Sequence, residues 1–265
     1  MTHDSHQLHD STFPDWIPLL LLVVVAVLYL LAYYSILNEK GGWQRWRVIC
    51  FTVGLVLLGI ALLPSLMRWA HQDLVGHMVQ HLLLGMYGPL FLVLGAPVML
   101  ALKALPVNLA RTITAILRSR AFFMLSHPVT ALLLNMGGMY LLYLTPLYVK
   151  SLTNSFLHYL IHFHFLAAGF LFTWSMIGQE PVAKRPAFGI RVFVLFISMA
   201  AHAFLSKFMY AYLYPLNAPH SADQIREAAK LMYYWGDLSE LLLAIVLFAS
   251  WYRKRSIAKI PAPSA

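Results

Sequence analysis

Apolar runs of about twenty residues recur along this chain, and nothing constrains its fold more. At 1.5 Å per residue, about 20 residues of α-helix cover the roughly 30 Å hydrocarbon core of a bilayer. Only 11% of the 265 residues are charged and 60% are hydrophobic, whereas a soluble domain carries about 25% charged residues. The expectation is an all-α polytopic membrane bundle of seven transmembrane helices. The spans fall near 16–37, 48–67, 74–102, 128–149, 155–177, 190–214 and 230–252. They form one domain, 16–252, between a polar tail at 1–15 and a basic tail at 253–265.

The net charge of +9 raises nucleic acid as a partner. The basic residues lie between apolar runs and form no aromatic-interleaved soluble patch, which argues against nucleic acid and leaves membrane lipid as the surrounding partner. A single cysteine, Cys50, excludes a disulfide framework, a CxxC redox site and a thiolate copper-chaperone loop. Residues 1–15 hold Asp4, Asp10 and Asp15 with no Lys or Arg. A secretory signal needs a basic start, so the first span is expected to be retained. His3, His6 and His9 punctuate this tail and read as part of a flexible polar segment.

Orientation follows from the basic residues. Loops 38–47, 103–127 and 178–191, together with the tail, carry 14 of the 19 Lys and Arg: Lys40, Arg45, Arg47, Lys103, Arg111, Arg118, Arg120, Lys184, Arg185, Arg191, Arg253, Lys254, Arg255 and Lys259. The other connections carry Arg68, Lys150, Arg226 and Lys230, and Lys207 lies inside a span. The positive-inside rule places the N-terminus outside and the C-terminus in the cytoplasm.

Within this frame the chemistry gathers on histidines. His77 and His81 are four apart in the third span, and His158 and His162 repeat the spacing in the fifth. Residues i and i+4 share one helix face, so each pair can offer two imidazoles to one metal ion. The topology brings both pairs, with Met78, His202, Lys207, Asp237 and Glu240, to the outer half of the bundle, and puts His71, His220 and Asp223 in the outer connections. Ionisable groups inside a membrane mark function by default. Neutral imidazole suits copper, zinc, iron or nickel, and Met67, Met78, Met209 and Met232 add soft sulfur at similar depth. His77, His81, His158 and His162 are the candidate ligands. His202, Asp237, Glu240, Met78, Lys207 and Asp223 are candidates for orienting them or for alternate ligation, since a ligating histidine usually donates its other N–H to a carboxylate or carbonyl. His127 sits at the opposite end, where capping or packing suffices.

Local signals complete the pattern. Gly54 and Gly59 in the second span suit close helix approach. Pro89 and Pro97 predict a long, kinked third span in the bundle interior, and residues 107–119 a surface helix. The first span reads as lipid-facing without chemistry. Four accounts of the polar residues compete with metal carriage. A structural network pairing them would explain burial but not the repeated spacing. A seven-span zinc hydrolase would use one HxxxH with Asp237 and His202 around an open site. A haem-binding carrier would need axial histidines facing across the bundle. A proton-coupled transporter would want midplane carboxylates and broken helices in corresponding halves, and no such repeat is visible.

An ordered set of segments carries a resemblance. His77-Met78-x-Gln80-His81-Leu82-Leu83 resembles the signature of the CtaG-type cytochrome c oxidase assembly factors of bacterial membranes. Gly95-Ala96-Pro97, then His158-x-x-x-His162-Phe163 leading to Phe172-Thr173-Trp174, resemble later family segments. So do Tyr214-Pro215, Ala222-Asp223-Gln224 and the stretch from Met232 to Gly236, over roughly 70–245 in all. Ala228-Ala229 departs from the pattern, where a glycine is expected. The resemblance implies a multi-pass protein of the bacterial plasma (inner) membrane that helps mature a haem–copper oxidase of the respiratory chain. Cytochrome c oxidase subunits would be its partners, copper ion the plausible cargo, and it would have no turnover chemistry of its own.

Overall fold

The computed structural model of the protein describes residues 16–37, 42–177 and 185–258. The histidine-bearing tail, Lys40, Lys184 and Lys259 lie outside the described residues. Every described regular element is helical: α1 Ile17–Ser35, α2 Arg45–Ala61, α3 Pro64–Gln72, α4 Leu74–Leu82, a π-helical stretch Leu83–Tyr87, α5 Gly88–Leu94, α6 Pro97–Ala104, α7 Val107–Leu117, α8 Arg120–Leu125, α9 Pro128–Leu144, α10 Leu147–Thr153, α11 Ser155–Ile177, α12 Phe188–Tyr212 and α13 Ala222–Ala258. Five stretches are long and apolar enough to cross a membrane, and seven if α2–α3 and α9–α10 each count as one bent span.

Those bent pairs are where the sequence reading needs correction. The second span does not run straight to 67. It stops at Ala61, and α3 leaves at 54°, taking up the expected loop at 68–73. The fourth stops at Leu144, and α10 leaves at 78°. In both cases a proline opens the new helix or immediately precedes it, Pro64 or Pro146. A proline cannot donate the backbone hydrogen bond that would carry a helix straight through. The seventh helix is longer than expected. It begins at Ala222, inside the expected outer loop, and continues past 252 to Ala258.

The chain from Leu74 to Leu94 forms the buried axis. Its proline is absorbed without a sharp break. Pro89 cannot serve the Gly85 carbonyl four residues back, and the helix widens into π geometry just before it, with Gly88 N–H donating to the Leu83 carbonyl. Gly169 of α11 lies directly against that Gly85 carbonyl, so closely that a Cβ there would collide with it. Small residues govern helix contact where lipid supplies no hydrophobic force between helices. Gly54 meets the expectation of close approach, since a Cβ would stand 2.8 Å from the Leu92 nitrogen, whereas Gly59 faces open space.

At Gly95–Pro97 the axis turns. Ala96 takes a left-handed conformation with φ 50°, and α6 starts at Pro97. Tyr29 secures this turn by donating its hydroxyl to the Gly95 carbonyl at 2.9 Å while stacking on Phe51. The first helix, otherwise apolar and exposed, is therefore tied to the bundle by one buried tyrosine. The helix expected at 107–119 is α7, with Val107, Leu109 and Ile116 exposed.

The connections sort onto two ends. One carries α3, α10 and the 213–221 turn, joined by hydrogen bonds from Gln224 to Asp73 and between Tyr148 and His220. The other carries the start of α2 and α6–α8, with Arg47 reaching Met99, Lys103 over Trp43 and Phe122 against Trp174.

Candidate metal centre

The two HxxxH pairs face each other. α4 and α11 line the same seam, and His77, His81, His158 and His162 are all buried. The His77 and His162 rings are 6.4 Å apart between centroids, and His158 and His162 are 4.0 Å apart. A fifth imidazole joins them: His71 of α3 stacks on His158 at 4.1 Å. The sequence reading left His71 in a loop, because the bend at 62–63 that returns α3 over the bundle is a tertiary event. Gly76 permits it, since a Cβ there would meet the Trp69 backbone carbon at 2.9 Å.

Aromatic rings form the wall. His77 meets Tyr148 and Tyr143 edge-on at 5.0 and 6.1 Å, and His81 meets Phe165 at 4.6 Å. Tyr148 is held from the far side by a 2.8 Å hydrogen bond with His220. His220 lies in the 213–221 turn. Burial pushes its imidazole below its ordinary value, against an opposing pull from Asp73. Asp73 caps α4 by accepting from Val75 N–H at 2.8 Å, the usual role of an aspartate at a helix start. Gln80, inside the motif, donates to the Ala61 carbonyl at 2.8 Å. It thereby satisfies a helix-end acceptor at the α2–α3 break.

Several imidazoles are left unsatisfied. His77 Nε2, both ring nitrogens of His81, His158 Nε2 and His162 Nδ1 are buried without a hydrogen-bond partner among the described residues. A buried polar atom left unpaired costs about 1–3 kcal/mol. Several gathered in one seam leave hydrogen-bonding capacity there that protein groups do not fill. Nitrogen donors of this kind fit copper or zinc. Among the described residues, no three of these ring nitrogens lie within 4.8 Å of one another, so closing on one ion requires side-chain rotation.

The other candidates separate. Met78 is buried, and its sulfur accepts the Tyr143 hydroxyl at 3.9 Å. Lys207 places its ammonium over the Tyr233 ring at 5.1 Å. Asp223 is turned to the surface, 94% exposed, beside Arg226. His127 accepts from Val129 N–H at the start of α9, at the opposite end, a capping role as expected. His202, Asp237 and Glu240 stand together between α12 and α13, with a donor atom of each within 4.8 Å of the others.

A family model described as cytochrome c oxidase caa3 assembly factor (Caa3_CtaG) matches residues 27–254. The chain belongs to this family. Both HxxxH pairs and the His202–Asp237–Glu240 group lie inside the part that defines a Caa3_CtaG protein. Curated relatives include uncharacterized proteins of Mycobacterium bovis and Mycobacterium tuberculosis. Each is 33% identical over 189 residues, covering 69% of this chain and 29% of the relative. One of Mycobacterium leprae is 28% identical over 251 residues, covering 88% of this chain and 38% of its own length. The chain thus spans about a third of the length of these relatives. No solved structure matches it.

Proposed function

We propose that this Caa3_CtaG chain is a multi-pass protein of the bacterial plasma membrane. In this reading it holds copper ion at the imidazole cluster and delivers it to cytochrome c oxidase subunits during assembly. The observation that carries the reading is the set of buried, unpartnered ring nitrogens on His77, His158 and His162, drawn from two facing helices. His81, one turn deeper in the seam, extends the cluster. The bundle crosses the membrane seven times with the N-terminus outside. Support for that orientation comes from Arg47, Lys103, Arg111, Arg118 and Arg120, at or near the end away from the histidines. The imidazole cluster then lies in the outer half of the bundle. The chain carries its cargo without turnover chemistry of its own.

The test is made in cells and on purified protein. His162→Ala and His81→Ala each remove a polar group from a membrane helix and leave insertion intact. Oxidase subunits are still made, but oxidase activity and copper per haem fall in both variants, and excess copper partly restores them by mass action. His127→Ala is the silent control. If both variants keep wild-type oxidase copper while deletion of the whole chain lowers it, the histidines are structural. A Soret band in the purified chain would redirect the reading to haem, and zinc-dependent amide hydrolysis would redirect it to a hydrolase.

A further inference from the structure

A second cluster adjoins the deep end of the imidazole seam, its His202 near enough to His81 for the two rings to interact electrostatically. His202 of α12 and Asp237 and Glu240 of α13 each offer a ligand atom within 4.8 Å of the others, the one such triple of His, Cys, Asp or Glu among the described residues. Helical spacing builds it. Asp237 and Glu240 are three apart and share a face of α13, and Ser198 and His202 are four apart on α12. Gly236 admits the imidazole, for any Cβ there would collide with the His202 ring.

Two features separate this group from a self-satisfied polar core. His202 is fully buried, and neither ring nitrogen has a hydrogen-bond partner among the described residues. Glu240, 2% exposed, binds the Ser198 hydroxyl at 2.8 Å through Oε1, while Oε2 has no partner, and Asp237 Oδ1 is likewise unpaired. Nor is either carboxylate within ion-pair distance of a Lys or Arg among the described residues; the pairs found there are Arg226–Asp223 and Lys230–Glu227 at the surface. Glu240 is buried and Asp237 half-buried, with Lys207 near enough to act on Asp237 but not to pair with it. A buried carboxylate oxygen left without a partner is costly, and a bound cation is a common remedy.

We propose that His202, Asp237 and Glu240 form a site for a divalent transition-metal cation of zinc's class, separate from the imidazole cluster. One imidazole and two carboxylates make a borderline-to-hard donor set without sulfur, suited to zinc and poorly suited to cuprous ion. A dication neutralises the two carboxylates. Ser198 orients Glu240 from behind, as hydrogen-bonded partners of ligating carboxylates do. Asp237 is half-buried and gives the site an open side. Glu240 also borders a cavity of about 20 Å³ together with Asn135, Thr173 and Ser239, large enough for one water. The site stands whether or not the imidazole seam carries copper.

The experiment uses the full chain in detergent, stripped with a chelator and titrated separately with zinc and with cuprous ion against chromophoric competitors. Cobalt(II) absorption reports the donor set. The wild-type chain takes up zinc. Glu240→Gln and Asp237→Asn, near-isosteric changes that keep the helices intact, weaken zinc by more than about 100-fold, beyond the roughly 10- to 100-fold loss that an orienting group such as Ser198 would give on Ser198→Ala. The double variant His77→Ala/His162→Ala leaves zinc binding and the cobalt spectrum unchanged. A wild-type chain that does not take up zinc overturns the proposal. So does zinc binding that survives Glu240→Gln and Asp237→Asn, or that disappears in the His77→Ala/His162→Ala variant. The cuprous titration separates the two readings: loss of cuprous binding in the double variant supports copper at the imidazoles whatever happens to zinc.

Discussion

The imidazole seam and the His202–Asp237–Glu240 cluster are built from the same kind of parts and differ in two respects. Both are buried but for the half-buried Asp237, both lie on facing helices, and both hold polar atoms without partners. The seam offers nitrogen alone, and its rings are spread over centroid distances of 4.0 to 6.4 Å. The second cluster mixes one nitrogen with carboxylate oxygens and already converges within 4.8 Å. A spread, neutral, nitrogen-only set suits an ion that arrives and leaves, because closing on it requires movement and no buried charge remains after release. A converged set that includes two carboxylates suits an ion that stays, since its departure would leave the buried Glu240 without the cation that offsets its charge.

The strongest way to break the comparison is to separate the helices that carry the seam. Gly169→Val drives a side chain into the Gly85 carbonyl, and we expect a loss beyond about 3 kcal/mol, the upper end for overpacking. Monodisperse protein recovered in detergent should drop sharply. A subtler change separates the two clusters. Gly236→Ala places a methyl against the His202 ring and should cost about 1–3 kcal/mol. Zinc binding should fall while cuprous binding persists, both read by titration. Gln80→Leu orphans the Ala61 carbonyl at the α2–α3 break, at about 1–3 kcal/mol. It should lower the thermal midpoint in detergent while both metals still bind.

The smallest effect concerns the latch on the seam. Tyr148→Phe removes the hydrogen bond with His220 and should cost about 1 kcal/mol. A pH arm sharpens it. Burial holds the His220 imidazole below its ordinary value, so the folded chain favours the neutral ring. That contribution is full above the unfolded value near about 6.5 and is lost as pH falls below it, because the unfolded chain then binds the proton more readily. Between about pH 7.5 and about pH 5.5, His220→Asn should lose less thermal stability than the wild type does.

Hydropathy runs and i, i+4 spacing were enough to name all four seam histidines, the buried third span and the fifth helix at its observed limits, because helix periodicity and apolar length are local properties. Two residues show where that stops. His71 looked like a loop residue, and only the return of α3 over the bundle stacks it on His158. Asp237 and Glu240 share a face of α13 by spacing alone, but only the packing of α12 on α13 brings His202 to them. The sequence by itself determined the helical membrane-type bundle, the two histidine pairs and their shared face. Tertiary structure decided which side chains meet across helices, through the bends at 62–63 and 145–146 and the close approaches at Gly76, Gly169 and Gly236. Those contacts depend on helix crossing and rotation, which arise from packing between segments distant in the chain and leave no local period to read.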